Sequence, residues 1–195
     1  SKMNWRHIQT NDDYLGWIHS FYLCDLNISS NDAMLIIDRM VPIFSKANDA
    51  SSILMILSFA TYVYVIEKEY DFIKIQLPDG TYAFMENQDK VFKKNRQKLI
   101  EFAKMLLGVP YLWGGASSFG YDCSGFVQAV FKVMGLSIKR DASQQINHKG
   151  LEEIGLLDGK PGDLIFFSEN KNINHVAFLI GEGKIIHCSG QVKIE

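Results

Sequence analysis

The pattern of apolar and polar positions changes near residue 90, where we place the main boundary of the chain. Before this point, short β-branched and aromatic segments alternate with turn sequences, which is typical of small β structure. After it, apolar residues first recur with the helical period and then return to strand-like runs. The pattern therefore predicts an N-terminal β region followed by a domain of mixed α+β class.

Five strands are predicted in the second part of the N-terminal region, over residues 34–90. Turn signals separate them, and Pro78-Asp79-Gly80 is typical of a tight hairpin turn. Because closing a sheet removes its exposed edges, strands this short and closely spaced favour a small barrel. The predicted strands are Met34–Val41, Ser52–Phe59, Tyr62–Lys68, Phe72–Leu77 and Thr81–Met85.

The first 33 residues contain a weak internal repeat. The segments Trp5–Ser20 and Phe72–Asn87 share an aromatic start, a strand, an acidic turn and a second aromatic-rich strand. Both resemble the end of a bacterial SH3-like domain, although Phe72 and Phe84 replace the usual tryptophans of that pattern. We therefore predict the end of a first SH3-like domain over residues 1–33 and a second one over 34–90, with generic β-meanders as the alternative.

The C-terminal region, residues 91–195, predicts two helices and then three strands. Leu99, Phe102 and Leu106 lie on the apolar face of the first helix, which Gly108 ends. Asp122 is a good N-cap for the second helix. The three strands are predicted at Leu164–Phe167, His175–Ile180 and Lys184–Cys188.

Composition and charge exclude several classes of protein. Of 195 residues, 47% are hydrophobic, as is ordinary for a folded domain. Lys plus Arg number 20 against 22 Asp plus Glu, and since no basic stripe is present, nucleic acid is a poor partner. The longest apolar stretch, Ser52–Ile66, is interrupted and too short to span a bilayer, so we expect no transmembrane segment. Three cysteines at long spacings do not make a disulfide framework.

Cys123 is the residue with the clearest chemical potential. It lies in the first turn of the second predicted helix, where backbone N–H groups and the helix dipole favour an anion and lower a thiol pKa. The charge of Asp122 would raise that pKa, but we expect the dipole and a nearby imidazolium to dominate. The alternative is a small buried hydrophobic residue. Against it, Cys123 lies outside the apolar stripe that begins at Phe126.

A thiolate nucleophile needs a base, and the base needs a group that orients it. His175 and His187 lie in two adjacent predicted strands. If Ala177 lies opposite His187, both histidines share one sheet face as diagonal neighbours, about 7–8 Å apart at Cα. A one-residue slip would put them on opposite faces. Two further alternatives remain: unengaged histidines at strand ends, and a zinc site formed with Cys123.

Four segments resemble, in order and spacing, the NlpC/p60 family of bacterial cell-wall cysteine peptidases. They are YLWGGASSFGYDCSGFVQAVF, IKRDASQQINHKG, KPGDLIFF and NHVAFLIGEGKIIHCSG. The resemblance covers residues 98–190 and implies a papain-like core, with Cys123 as nucleophile, His175 as base and His187 as the residue that orients it. It implies no cofactor and no metal, and peptidoglycan-derived peptides as partners, cut between D-glutamate and the following diamino acid.

The same resemblance implies roles for four more residues. Tyr111 would lie near the nucleophile and the oxyanion site, and Asp122 and Ser124 would contact the substrate. Asp141 would face the free amine of an N-terminal L-alanine, with a solvated loop carboxylate as the alternative. Gly115 more plausibly serves close backbone approach than chemistry.

Several points stay open at this stage. The family's last strand follows the orienting residue, so we expect either a fragment that lacks this strand or a fold completed differently. An amidase or acyltransferase on the same core, or a non-catalytic muropeptide-binding module, are the alternative functions. The diamino acid, the oligomeric state and the compartment, bacterial cytoplasm or envelope, are not determined.

Overall fold

The computed structural model describes residues 4–88 and 91–195, which form two compact units that divide between residues 91 and 92. The division coincides with the change of apolar period near residue 90. Each unit has its own antiparallel sheet. The molecule is thus of mixed class, with its α-helices in the C-terminal unit and a short 3-10 helix, Ser20–Tyr22, in the N-terminal unit.

The described residues of the N-terminal unit form eight strands. They are β1 (Trp5–Gln9), β2 (Leu15–His19), β3 (Ala33–Leu35), β4 (Met40–Phe44), β5 (Ile53–Ser58), β6 (Tyr62–Lys68), β7 (Phe72–Gln76) and β8 (Tyr82–Glu86).

Strands β3 to β8 form one sheet in the order β3-β6-β7-β8-β4-β5. Alternate residues of β7 and β8 face its core, where Ile73, Ile75 and Met85 are fully buried. Within the described chain the sheet runs from β3 at one edge to β5 at the other. The SH3-like interpretation of this unit stays a prediction.

The predicted strand Met34–Val41 is wrong, because the structure divides it into β3 and β4. The two halves pair with different strands, β3 with β6 and β4 with β5. Between them the backbone N–H of Ile36 donates to Thr61, and the carbonyl of Arg39 accepts from Phe59. The bend at these residues redirects the chain, which apolar periodicity alone does not reveal.

The hairpin β1–β2 forms a separate two-stranded sheet whose geometry matches the hairpin β7–β8. All four strands have five residues, and the connections are equal in length. Trp5 pairs with His19 in the first hairpin as Phe72 pairs with Glu86 in the second. The two hairpins correspond residue by residue to the repeat seen in the sequence.

The C-terminal unit contains three helices and six strands. They are α1 (Arg96–Met105), β9 (Ala116–Ser117), β10 (Gly120–Tyr121), α2 (Cys123–Val133), α3 (Ala142–Gln145), β11 (Leu164–Glu169), β12 (Asn172–Gly181), β13 (Lys184–Ser189) and β14 (Gln191–Ile194). None of the helices in the described residues has the length and apolar character of a membrane span.

The main sheet of this unit has the order β11-β12-β13-β14, all antiparallel. Helix α2 packs its apolar stripe on β12. The rings of Phe126 and Phe131 lie 5.8 and 5.5 Å, between centroids, from that of Phe178. These aromatic contacts hold α2 against β12.

Strand β14 follows His187 and pairs with β13, placing Lys193 opposite His187. The first of the two expected outcomes, a sheet without a strand after the orienting residue, is therefore wrong. The backbone of residues 108–111 runs along the other side of β14. The N–H of Gly108 donates to Val192, and that of Tyr111 donates to Gly190. This contact fixes the start of the Tyr111 loop.

Candidate active site

Cys123 is the first residue of α2, and Asp122 is its N-cap. Oδ1 of Asp122 accepts from the backbone N–H of Gly125 at 2.7 Å. The cap satisfies a free amide of the first turn and so begins the helix at the cysteine. The side chain of Cys123 is buried, with 8% of the residue exposed.

Burial raises the pKa of the Cys123 thiol above its ordinary value, and the charge of Asp122 adds to the rise. Backbone N–H groups of Val176, Ser124 and Cys123 itself act in the opposite direction. The expectation that the helix dipole and an imidazolium would lower this pKa is not what the structure shows. The reason is desolvation, since the sulfur lies inside the fold and a buried anion is costly.

The two histidines share one face of the sheet, as the predicted register requires. Phe178 pairs with Ile186, which places Ala177 opposite His187. Nε2 of His175 lies 2.7 Å from Nδ1 of His187, and the rings are nearly perpendicular. One nitrogen of each imidazole is thereby used in a hydrogen bond between them.

Burial lowers the pKa of His175 below its ordinary value, with a further decrease from His187. Burial also lowers the pKa of His187. Both rings are therefore neutral at neutral pH, and a neutral imidazole is the form that accepts a proton.

The sulfur of Cys123 lies where α2 packs against β12, the strand that carries His175. The backbone N–H of Val176, the residue after His175, is directed toward the sulfur of Cys123. Cys123 thus lies beside the residue that follows His175, and His175 in turn bonds to His187, 12 positions further along the sequence. Over residues 4–88 and 91–195, no three His, Cys, Asp or Glu side chains are grouped to hold a metal ion.

Arg140 is a residue of this site that sequence reasoning missed. Its guanidinium binds both carboxylate oxygens of Asp122, at 2.9 and 2.6 Å, and also the hydroxyl of Ser124 at 3.0 Å. Both partners of the ion pair are largely buried. Next to Asp141 in the sequence, Arg140 looks like one member of a surface ion pair. Its contact with Asp122 depends on packing between distant parts of the chain.

The Arg140 contacts change the interpretation of Asp122 and Ser124. Asp122 is 9% exposed and also accepts from the backbone N–H of Gly114 at 3.0 Å. Ser124 is 5% exposed. Their side chains hold the nucleophile turn together, which favours a positioning role over the predicted contact with substrate.

Two glycines allow the Tyr111 loop to pack closely on the start of α2. A Cβ on Gly125 would lie 2.2 Å from the carbonyl oxygen of Gly115. A Cβ on Gly115 would lie 2.5 Å from the carbonyl oxygen of Gly120. Close backbone approach is therefore what both positions require.

Tyr111 lies at the start of this loop, close to Cys123 and Asp122. Burial raises the pKa of the Tyr111 phenol, and Cys123 and Asp122 raise it further. The phenol stays protonated and can donate a hydrogen bond at the site.

Asp141 is the N-cap residue of α3, and its backbone N–H approaches Oε1 of Gln144 at 3.5 Å. It is partly exposed and follows Arg140 directly. Because the residue is partly exposed, its carboxylate is accessible to a ligand. The contact with an ammonium group stays a prediction.

The three cysteines are free thiols, and Cys123 is the one at the start of α2 in the candidate site. Cys188 is fully buried and donates to the carbonyl of Tyr121 at 3.1 Å. Burial raises the pKa of Cys188 to about 12, so this thiol stays protonated. Cys24 is exposed in the N-terminal unit.

A pH titration of alkylation tests the protonation state of the nucleophile. In a Cys24→Ala background, we expect the rate of Cys123 modification by iodoacetamide to rise with pH through a midpoint above 9.0, the ordinary thiol value, because burial raises the pKa. Mass spectrometry of peptides separates Cys123 from the inert Cys188. A rate that is already maximal near neutral pH would contradict a protonated resting thiol.

The comparisons with known proteins agree with this geometry. Residues 108–195 match the model of the NlpC/P60 family. Over these residues the chain is similar to the NlpC/P60 family. A gamma-D-glutamyl-L-lysine dipeptidyl-peptidase of Bacillus subtilis is 35% identical over 181 residues, which are 89% of this chain and 60% of the relative.

A second relative and a solved structure extend the likeness beyond the NlpC/P60 segment. A gamma-D-glutamyl-L-lysine dipeptidyl-peptidase of Bacillus cereus is 34% identical over 67% of this chain and 42% of its own length. The crystal structure of an NlpC/P60 family protein from Bacillus cereus matches all of this chain and 72% of that one, with a TM-score of 0.86 at 25% identity. The chain thus spans about half the length of the curated relatives it matches. Both curated relatives are named as peptidases, and the peptidase activity of this chain stays a prediction.

Proposed function

We propose that this chain is a cysteine peptidase that hydrolyses the bond between D-glutamate, through its γ-carboxyl, and the following diamino acid in peptidoglycan stem peptides. The observation that carries the proposal is the hydrogen bond between His175 and His187, 2.7 Å long, beside a helix that begins with Cys123. The names of the two Bacillus relatives support the choice of bond. A papain-like core is the fold that this arrangement of helix and antiparallel sheet supports.

In the acylation step, the thiol of Cys123 gives its proton to His175 as the sulfur attacks the γ-carbonyl carbon. The pKa of the thiol is raised and that of the imidazole is lowered, so the proton moves during attack rather than before it. The backbone N–H of Cys123, at the start of α2, and the protonated phenol of Tyr111 are the donors available to the oxyanion. The C–N bond then breaks, and the imidazolium returns the proton to the leaving amine.

In the second step, water hydrolyses the thioester. Neutral His175 takes a proton from water, the C–S bond breaks, and the sulfur leaves as a thiolate that recovers the proton. The products are a free γ-carboxylate and the regenerated thiol. Because the same base serves both steps, kcat/KM should fall as His175 becomes protonated, below the ordinary histidine value of 6.5.

A dipeptidyl-peptidase removes two residues from an amino end, so we further propose that the substrate is a fragment with a free N-terminal L-alanine. Asp141 is the carboxylate that would pair with the ammonium. This substrate is typical of released wall fragments and places the reaction in murein turnover or recycling.

Acetylation of the substrate amine tests this proposal. For L-Ala-γ-D-Glu-L-Lys, we expect N-acetylation to lower kcat/KM by about 10- to 100-fold, the effect of losing a hydrogen bond to a charged group. Asp141→Asn should cause a similar loss with the free peptide and little more with the acetylated one. Mass spectrometry of L-Ala-D-Glu and lysine follows the reaction.

The outcomes of this experiment separate the alternatives. Equal turnover of both peptides would remove the ammonium contact while leaving the peptidase in place. Transfer of the acyl group to an added amine instead of water would indicate an acyltransferase. Binding of intact peptide without cleavage would indicate a recognition module.

A further inference from the structure

The outer nitrogen of His187 has a neighbour that the three proposed catalytic residues do not include. Nε2 of His187 is buried and, among the described residues, has no linear hydrogen-bond partner. It lies 3.1 Å from Oε2 of Glu195, a contact between an imidazole and a carboxylate. His187 is 6% exposed, so this nitrogen is not served by bulk solvent.

Strand pairing brings Glu195 to this position. The backbone N–H and carbonyl of Glu195 both bond to Ile185, at 3.0 and 2.8 Å. Lys193 lies directly opposite His187. Because alternate residues of an extended chain share a face, Ile185 and His187 of β13 lie on the same side as Lys193 of β14 and Glu195, the residue after β14. Glu195 therefore approaches His187 diagonally across the sheet.

The proton between the two imidazoles can belong to either ring, and only one arrangement leaves a base toward the nucleophile. If Nε2 of His175 carries it, Nδ1 of His175 is unprotonated and can accept the thiol proton. If Nδ1 of His187 carries it, neutral His175 holds its proton on Nδ1 and cannot act. In that second arrangement, the lone pair of His187 Nε2 also faces the carboxylate of Glu195, which is repulsive.

We propose that Glu195 is a positioning residue that holds the proton of neutral His187 on Nε2 and thereby keeps Nδ1 of His175 free to act as the base. The inference rests on the proposed function for its catalytic consequence, but the tautomer itself is a property of the folded chain. Glu195 acts through His187 and does not touch the reacting atoms.

Lys193 is the opposing group on the same strand. Its ammonium pairs with the other carboxylate oxygen of Glu195. The charged groups that act on the histidine pair are thus Lys193 of β14 and Glu195 after it. The thiol of Cys123 lies beside Val176, the residue after His175, and β11 contributes the ring of Phe167. Glu195 raises the pKa of both histidines and Lys193 lowers it. Removing the charge of Glu195 should therefore lower the pKa of the histidines, and removing the charge of Lys193 should raise it.

The experiment combines nitrogen-15 NMR of the histidine rings with kinetics on the full chain. In the wild type above the histidine pKa values, we expect His187 to be protonated on Nε2, and Glu195→Gln to give a mixture of tautomers. Glu195→Gln should lower kcat about fivefold with KM unchanged, since the carboxylate is half exposed. Its acidic limb should move to lower pH, whereas that of Lys193→Met should move to higher pH. Glu182→Gln, which removes an exposed carboxylate from the turn before β13, is the matched control and should change none of these.

Two results would overturn the inference. One is a wild-type His187 protonated on Nδ1. The other is a folded Glu195→Gln variant with wild-type kcat, tautomer and pH profile. If the wild type cleaves no peptide, the proposed function fails, and the tautomer of His187 still decides whether Glu195 positions the ring.

Discussion

Replacing Cys123 with alanine is expected to lower kcat/KM for L-Ala-γ-D-Glu-L-Lys by about 10⁴-fold or more, because the attacking atom of the proposed reaction is lost. The fold should be retained, since alanine is smaller than cysteine and a good helix former at the first position of α2. Cleavage measured by mass spectrometry, with circular dichroism of the variant, checks both statements.

The other two cysteines provide matched controls for this variant. Cys24→Ala changes an exposed residue of the N-terminal unit and should retain full activity. Cys188→Ser keeps a donor for the carbonyl of Tyr121 and should also retain activity in the folded protein. Cleavage by Cys123→Ala at more than a few per cent of the wild-type rate would contradict the assignment of the nucleophile.

Arg140→Met is expected to lower the free energy of unfolding by about 3 kcal/mol, because it leaves the carboxylate of Asp122 buried without its cation. The methionine keeps much of the aliphatic stem, so the loss reports the charge more than the packing. Activity should fall as well, since the same guanidinium holds Ser124 and the carbonyl of Gly115 around the first turn of α2. Urea denaturation followed by circular dichroism measures the effect.

Two further variants show whether the buried charge is the cause. Arg96→Met breaks the ion pair of Arg96 with Asp163, in which the arginine is 57% exposed, and should cost less than about 1 kcal/mol. Adding Asp122→Asn to Arg140→Met should recover part of the stability, since the uncompensated charge is then removed. Equal losses for Arg96→Met and Arg140→Met, or no recovery in the double variant, would contradict a buried charge pair at the nucleophile turn.

Local sequence patterns were sufficient for the elements that carry the chemistry. Asp122 and the apolar spacing from Phe126 onward predicted where α2 begins, because capping and helical periodicity are local properties. The alternation of the strands that hold His175 and His187 predicted a common face for one of two possible registers, and the structure shows that register.

Other features depended on partners distant in sequence. Apolar periodicity predicted one strand where the structure has β3 and β4. The two pair with different strands, which periodicity does not show. The sequence also did not indicate that Arg140 forms an ion pair with Asp122. Nor did it indicate that Glu195 contacts His187 on the neighbouring strand. Each of these contacts is set by the way the chain returns on itself.

The sequence by itself determined the class of the C-terminal unit and the helix that starts at Cys123, since these follow from local propensity and period. Only the tertiary structure decided the charge state of the site. Helix geometry alone favours a thiolate at Cys123, but burial raises the pKa of its thiol and lowers that of His175. Desolvation depends on everything packed around a group, and so it cannot be read from the residues beside that group in the chain.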